Sequence, residues 1–240
     1  MANFNNDFKQ IGIFANTDKV THHGYDRFYP LEVQNFRFDE FAMLEIGIQN
    51  GESLTLWKNY FPKAYIYGLD IGVEYQDERT KIFKCDQSDI YQLMNVKQNI
   101  DTVLPIKFIN DDGSHIPEHQ ILTFDYFFSE LLCDGGLYII EDIETSYWKR
   151  DGLYGYPTNY GWLHPDSLIE QFKMMADYVN IEYLNDNDKQ LLEEKTSFLS
   201  KQTKDAIASV RFVQNCIVIQ KKNKEDYIYN NRKYRFGEKT

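Results

Sequence analysis

The chain has 240 residues, the size of one large α/β domain and too few for two generous ones. Hydrophobic residues make up 42% of it, with 17 Phe and 18 Tyr, which supplies a core and argues against intrinsic disorder. Against 26 Lys plus Arg stand 37 Asp plus Glu, and a net charge of -11 argues against a nucleic-acid partner, whose phosphates need a basic surface. Cys85, Cys133 and Cys216 are odd in number and far apart, forming neither a disulfide framework nor a zinc pattern. Residues 1–9 lack the basic start and apolar run of a secretion signal, and no stretch approaches the roughly 18 apolar residues of a membrane span. The expectation is a single domain in a reducing cytoplasm, with no membrane insertion.

Thr17-Asp18-Lys19, His22-His23 and the stretch from Tyr25 to Tyr29 form a polar and aromatic segment ahead of the first strand. Such a segment can fold over a ligand crevice and offer a Lys or His to a carboxylate, or it can be a decorated amphipathic helix. Phe41 to Ile48 is a nearly continuous apolar run, as in a parallel strand covered on both faces. After the turn Gln49-Asn50-Gly51, Ser53 to Tyr60 reads as a helix closed by Pro62, and Tyr65 to Ile71 as a second strand, giving a βαβ unit. Phe83 opens a short third strand, and a helical stretch spans Ile90 to Val96. Ile106 to Ile109 is a fourth strand, and a helix from Pro117 carries Ile121, Phe124, Phe128 and Leu131 on one face, ended by Gly135-Gly136. Leu137 to Ile140 is the fifth strand.

Beyond Ile143 the pattern breaks into a Gly/Tyr/Pro-rich stretch that reads as a surface loop or lid over 143–165. Leu168 to Tyr178 resumes as a helix, Val179 to Leu184 as a strand, and Val210 to Ile219 as one alternating terminal strand, with 185–204 charged and irregular. The tail 221–240 carries seven basic and three acidic residues and reads as a solvated end piece or an oligomer contact.

Two constellations carry chemistry. In the first, Glu45, Gly47 and Gly51 lie between a buried strand and a helix, where glycines tighten the turn and let amides approach a ligand. Asp70 stands at the tip of the next strand, placed to accept bonds from two ribose hydroxyls, so the pair suits a nucleoside. In the second, Asp111-Asp112-Gly113-Ser114-His115 and Glu141-Asp142 end two strands. Carboxyl ends of neighbouring parallel strands converge on one crevice, so Asp112, Glu141 and Asp142 are candidate ligands of Mg²⁺, a hard cation that takes oxygen donors. His115 has the ordinary pKa for proton transfer near neutrality; alternatively it bonds the start of the next helix, with Asp111 and Asp112 as caps. Tyr147, Trp148 and Tyr154 are candidates to line an acceptor site, since aromatic faces pack against the apolar sides of sugars.

In this order the motifs resemble class I S-adenosylmethionine methyltransferases, and more closely the metal-dependent sugar O-methyltransferases of the macrocin and mycinamicin tailoring group. The matching pieces are Thr17-Asp18-Lys19 with Tyr25, Leu44-Glu45-Ile46-Gly47 through Gly51, Gly68-Leu69-Asp70, Asp86-Gln87-Ser88-Asp89, Asp111-Asp112-Gly113-Ser114-His115, Gly135-Gly136-Leu137 and Glu141 through Trp148. The resemblance spans about residues 11–220, and the turn Ile48-Gln49-Asn50-Gly51 is less glycine-rich than in many relatives.

It implies a single Rossmann-like α/β domain with a mostly parallel sheet over 41–220, an N-terminal segment 1–40 covering the active site, and a basic tail. It also implies S-adenosylmethionine and Mg²⁺ or Mn²⁺ as cofactors. Glu45, Gly47 and Gly51 would surround the methionine part, Asp70 the ribose, Asp86 and Gln87 the adenine. Lys19, Tyr25 and Asp111 would also contact the cofactor. Asp112, Glu141 and Asp142 would hold the ion, with His115 as general base beside Asp112. The acceptor would be a sugar or nucleotide sugar of surface-polysaccharide or natural-product synthesis, and the oligomeric state is left open between a single copy and a homo-oligomer. A catechol-type O-methyltransferase and a cofactor-binding protein without activity are the competing readings.

Overall fold

The computed structural model describes residues 4–101, 103–149, 156 and 158–228. They form two compact units, the first ending at Gly113 and the second beginning at Ser114.

The first unit opens with three helices, α1 (Phe4–Ala15), α2 (Asp18–Thr21) and α3 (Tyr29–Val33). They are followed by β1 (Ala42–Ile46), α4 (Glu52–Tyr60), β2 (Tyr65–Asp70), β3 (Tyr75–Gln76), β4 (Thr80–Lys84), α5 (Ile90–Asn99) and β5 (Ile106–Asp111). The strand order is β3-β4-β2-β1-β5. β1 pairs in parallel with β2 and β5, β2 pairs in parallel with β4, and the short β3 is antiparallel to β4. All five residues of β1 are buried, as its apolar run requires.

The N-terminal helices belong to this unit's core. Phe8 of α1 stacks on Tyr29 of α3 and meets Trp57 and Tyr60 of α4 edge-on. Trp57 continues the cluster to Phe61 and Phe108, and Phe36 joins Phe41 and Phe61. Each such ring pair adds about 0.5–1.5 kcal/mol beyond the area it buries. The Asn-rich start, whose sequence carries no periodic signal, is therefore a helix held by one buried Phe.

The second unit contains α6 (Pro117–Glu130), β6 (Leu132–Glu141), a 3₁₀ turn over Ile143–Tyr147, α7 (Leu168–Lys173) and α8 (Met175–Tyr178). It continues through α9 (Asp186–Lys195), α10 (Lys201–Ala206), β7 (Ile207–Val213), β8 (Cys216–Lys221) and α11 (Lys224–Ile228). β8 lies between β6 and β7 and is antiparallel to both. Phe124 of α6 packs with Phe128 one turn on, with Tyr138 of β6 and with Phe172 of α7.

Five expectations are corrected here. Gly135-Gly136 does not end α6. The helix stops at Glu130, and both glycines lie inside the ten-residue β6, Gly135 at φ 71° with its N–H on Lys222 O. The stop is supplied from afar, because the Lys221 ammonium donates to the carbonyls of Phe128, Ser129 and Leu132. Residues Leu168 to Tyr178 form two short helices rather than one. Val179 to Leu184 holds a 3₁₀ turn rather than a strand, cramped between the end of α8 and the Asn185 cap of α9. The irregular stretch 185–204 is mostly helical, with Asn185 and Ser200 capping α9 and α10 through their side chains. Val210 to Ile219 is a hairpin, turning at Gln214-Asn215, where Asn215 takes φ 64°. Residues 229–240 of the basic tail lie outside the described residues.

Candidate active site

In the first unit the predicted residues gather at the carboxyl ends of β1, β2 and β5. Glu45 is fully buried in β1 and accepts from Trp57 Nε1 at 2.9 Å and Ser53 Oγ at 2.8 Å. Lys19 of α2, 1% exposed, lies 3.7 Å from Glu45 Oε1 and 2.5 Å from Asp112 Oδ2. One ammonium thus serves two carboxylates. Burial pushes the Glu45 carboxyl up to about 7, more strongly than Lys19 and the Trp57 hydrogen bond pull it down.

Gly47 makes this convergence of strand ends feasible. It has φ 85°, and a Cβ placed there would stand 2.1 Å from the Asp112 carbonyl oxygen. Only glycine fits both the backbone angle and the close pass. Gly51, also at φ 85°, starts α4.

Asp70 ends β2 with its carboxylate on four backbone amides. Oδ2 accepts from Ile48 and Gln49 at 3.0 and 2.9 Å, and Oδ1 from Gly72 and Val73 at 2.7 and 3.1 Å. Burial works to raise its pKa, yet these four bonds together hold the carboxyl below the usual range. Its described role is thus to clamp the glycine turn to β2. Gln87 donates to the buried Asp111 at 3.2 Å, while Asp86 folds onto Ser88 N and Oγ. Tyr25 is buried among the rings of His23, Phe28 and Tyr29. Thr17 Oγ1 and Asn110 Nδ2 are buried without a hydrogen-bond partner. Unmet polar groups of this kind, close in sequence to Lys19 and Asp112, fit a polar ligand, and the acidic lining fits a cationic one.

In the second unit His115 and Asp142 meet, with His115 Nε2 at 3.8 Å from Asp142 Oδ2. Both hold a left-handed backbone at φ 53°, uncommon for residues with a Cβ, although Asp and His enter it more readily than most. His115 Nδ1 is buried without a partner, and its ring meets Tyr156 edge-on at 5.6 Å. Glu141 is buried at the end of β6, and its backbone carbonyl accepts from Gln120 Nε2 at 3.0 Å. Tyr147 is 48% exposed and borders a cavity of about 310 Å³ with Ile143, Glu144, Ile169 and Phe212. Trp148 packs on Tyr156. Tyr154 lies outside the described residues.

The carboxylates and imidazole here suit a hard divalent cation. Sequence reading missed Asn215, whose amide donates to Asp142 at 2.9 Å; its one signal was an Asn inside an otherwise strand-like run. It also missed Ser53 and Trp57 as partners of Glu45, although their spacing along α4 puts them on one helix face.

A parallel sheet with a glycine turn after β1 and acidic strand ends defines the class I methyltransferase fold, and solved structures carry the same fold. The MycE methyltransferase of mycinamycin biosynthesis, solved with Mg and SAH, matches with TM-score 0.74 and 25% identity over 90% of this chain and 55% of that one. Its complex with Mg, SAH and mycinamycin VI matches with TM-score 0.73 at 24% identity, over 90% of this chain and 55% of that one.

In sequence the chain is similar to the 8-demethyl-8-alpha-L-rhamnosyl tetracenomycin-C 2'-O-methyltransferase of Streptomyces olivaceus, at 36% identity over 58% of this chain and 38% of that protein. It is similar also to the mycinamicin VI 2''-O-methyltransferase of Micromonospora griseorubida, at 35% identity over 54% of this chain and 34% of that protein. These relatives are of the group the motifs resemble. The match takes in less than half of each curated relative and about half of MycE. No protein-family model matches the chain.

Proposed function

We propose that this chain transfers a methyl group from S-adenosylmethionine to a sugar hydroxyl with the help of Mg²⁺. The observation that carries the reading is the His115–Asp142 pair: an imidazole with a buried, unpartnered nitrogen beside a carboxylate, both on strained backbone. When bound, the donor supplies an electrophilic methyl on a sulfonium, and the ion supplies positive charge at the acceptor oxygen.

The chain's own residues do the rest. Lys19, Glu45, Gly47 and Gly51 hold the methionine end of the donor, and Asp70 the ribose in exchange for part of its amide clamp. Asp86, Gln87 and Asp111 frame the adenine side, with Tyr25 backing the segment. Asp112, Glu141 and Asp142 are the ion's ligands. His115 accepts the hydroxyl proton at Nδ1 as the new C–O bond forms and the C–S bond breaks, leaving a methyl ether and S-adenosylhomocysteine. Tyr147, Trp148 and Tyr154 pack against the acceptor.

The named relatives act on glycosides, which favours a finished glycoside over a nucleotide sugar of surface-polysaccharide synthesis. The cysteines are thiols rather than disulfides, which suits a reducing compartment such as the cytoplasm. Among the described residues no helix is long and apolar enough to cross a membrane.

The test is incubation with S-adenosylmethionine and Mg²⁺ against glycosides, nucleotide sugars and catechols, read by mass spectrometry. A methyl-sized increment on a sugar is expected, abolished by chelation. His115→Asn, which tolerates the left-handed backbone but is no base, should lower turnover about 10²-fold with donor binding kept. Methylation of catechols alone would reject the sugar reading, and full turnover by the Asn variant would reject His115 as the base.

A further inference from the structure

We propose that Asn215 is the positioning residue that fixes the Asp142 carboxylate for the divalent cation, an assignment that rests on the metal reading above. The antiparallel register pairs Glu141 with Cys216, so the next residue outward on each strand, Asp142 and Asn215, meet at the mouth of the hairpin. Asn215 uses every polar group that faces this segment. Its Nδ2 donates to Asp142 Oδ1 at 2.9 Å, its Oδ1 accepts from Glu144 N at 3.1 Å, and its backbone carbonyl accepts from Ile143 N at 3.4 Å.

Asp142 holds φ 53°, a sparsely populated conformation that persists only when its surroundings impose it. The bonds from Asn215 hold the Asp142 side chain and the backbone of the two residues that follow it. With Oδ1 tied to the amide, Oδ2 is directed toward His115 Nε2, 3.8 Å away. Removing a partner that orients a ligating carboxylate in this way typically costs about 10–100-fold in metal affinity.

The residue type is selective. Asn215 itself holds φ 64°, which asparagine and glycine accept readily. A turn needing only that angle would be served by glycine, whereas the two-ended clamp needs a donor for the carboxylate and an acceptor for the Glu144 amide. Aspartate keeps the acceptor and the size, yet sets a second negative charge against Asp142.

The test titrates Mn²⁺ into the wild-type chain and into N215G, N215D and D142N, following free Mn²⁺ by electron paramagnetic resonance, with melting temperature recorded alongside. Wild type should bind and D142N should lose binding. N215G should bind about 10–100-fold more weakly at a nearly unchanged melting temperature, since glycine satisfies the turn, and N215D, which loses the donor to Asp142, should also bind more weakly than wild type. Wild-type affinity in N215G with D142N impaired would overturn the role of Asn215 and leave the metal reading standing. Should N215G fail to fold, wild-type affinity in N215D overturns that role equally. A wild-type chain that binds no Mn²⁺, or D142N that binds as well as wild type, overturns the metal reading and this assignment with it.

Discussion

Glu45 is a fully buried carboxyl, and the ammonium nearest to it is shared with Asp112. Burial raises its pKa from 4.5 to about 7 in the folded chain. The folded state therefore holds a proton more tightly than the unfolded one between those values, and stability falls as pH rises through this window, then levels off above it. The slope is at most about 1.4 kcal/mol per pH unit. Glu45→Gln should flatten it, as urea unfolding at a series of pH values would show; an unchanged slope would mean that Glu45 is ionised throughout. At this scale the sequence marked the acids and, in the segment around Lys19, a cation to meet one of them. It did not mark their hydrogen-bond donors: Ser53 and Trp57 lie on the next helix, and the amide that holds Asp142 lies 73 residues later.

Among the elements, α1 is a direct test of the packing. Phe8 is wholly buried in the aromatic cluster, whereas Phe14 of the same helix is 80% exposed. Phe8→Ala should cost about 3–5 kcal/mol in denaturant unfolding, and Phe14→Ala less than about 0.5 kcal/mol. Equal losses would mean that α1 is not docked on α4 by this face. β1, β2 and β5 were legible because each is a short, mostly apolar run bounded by Gly, Pro or carboxylates, whereas β4 mixes lysines with apolar residues and was marked only near its end, at Phe83. The elements that escaped have ends set by distant or small signals: α6 is stopped by Lys221, and the β7–β8 hairpin by one Asn. α9 was hidden by its charge, since an exposed helix with one buried residue lacks an apolar stripe, and α10 because the residues it buries, Thr203, Lys204 and Ala206, do not read as one.

Across the whole molecule, the excess of acid over base has a kinetic consequence for the choice of acceptor. A chain of net charge -11 repels an anionic nucleotide sugar and is indifferent to a neutral glycoside. Between about 20 and 200 mM salt, KM for a nucleotide sugar should fall as screening grows, while KM for a glycoside stays flat. Steady-state assays at matched Mg²⁺ would separate the two, and a KM for the nucleotide sugar that rises with salt would point to a local basic patch. The class of fold was legible because its acidic motifs keep their order along the chain. The acceptor was not, since the aromatic stretch that would contact it has no periodic pattern to place its side chains.

Of three tryptophans, Trp57 is fully buried, and its indole N–H rests on the Glu45 carboxylate, whereas Trp162 is 74% exposed. Light emitted by that indole depends on the charge beside it. The protein thus carries an intrinsic optical gauge of its own acidic centre, one whose blue-side emission would register a proton or a cationic guest arriving at Glu45 without any added dye.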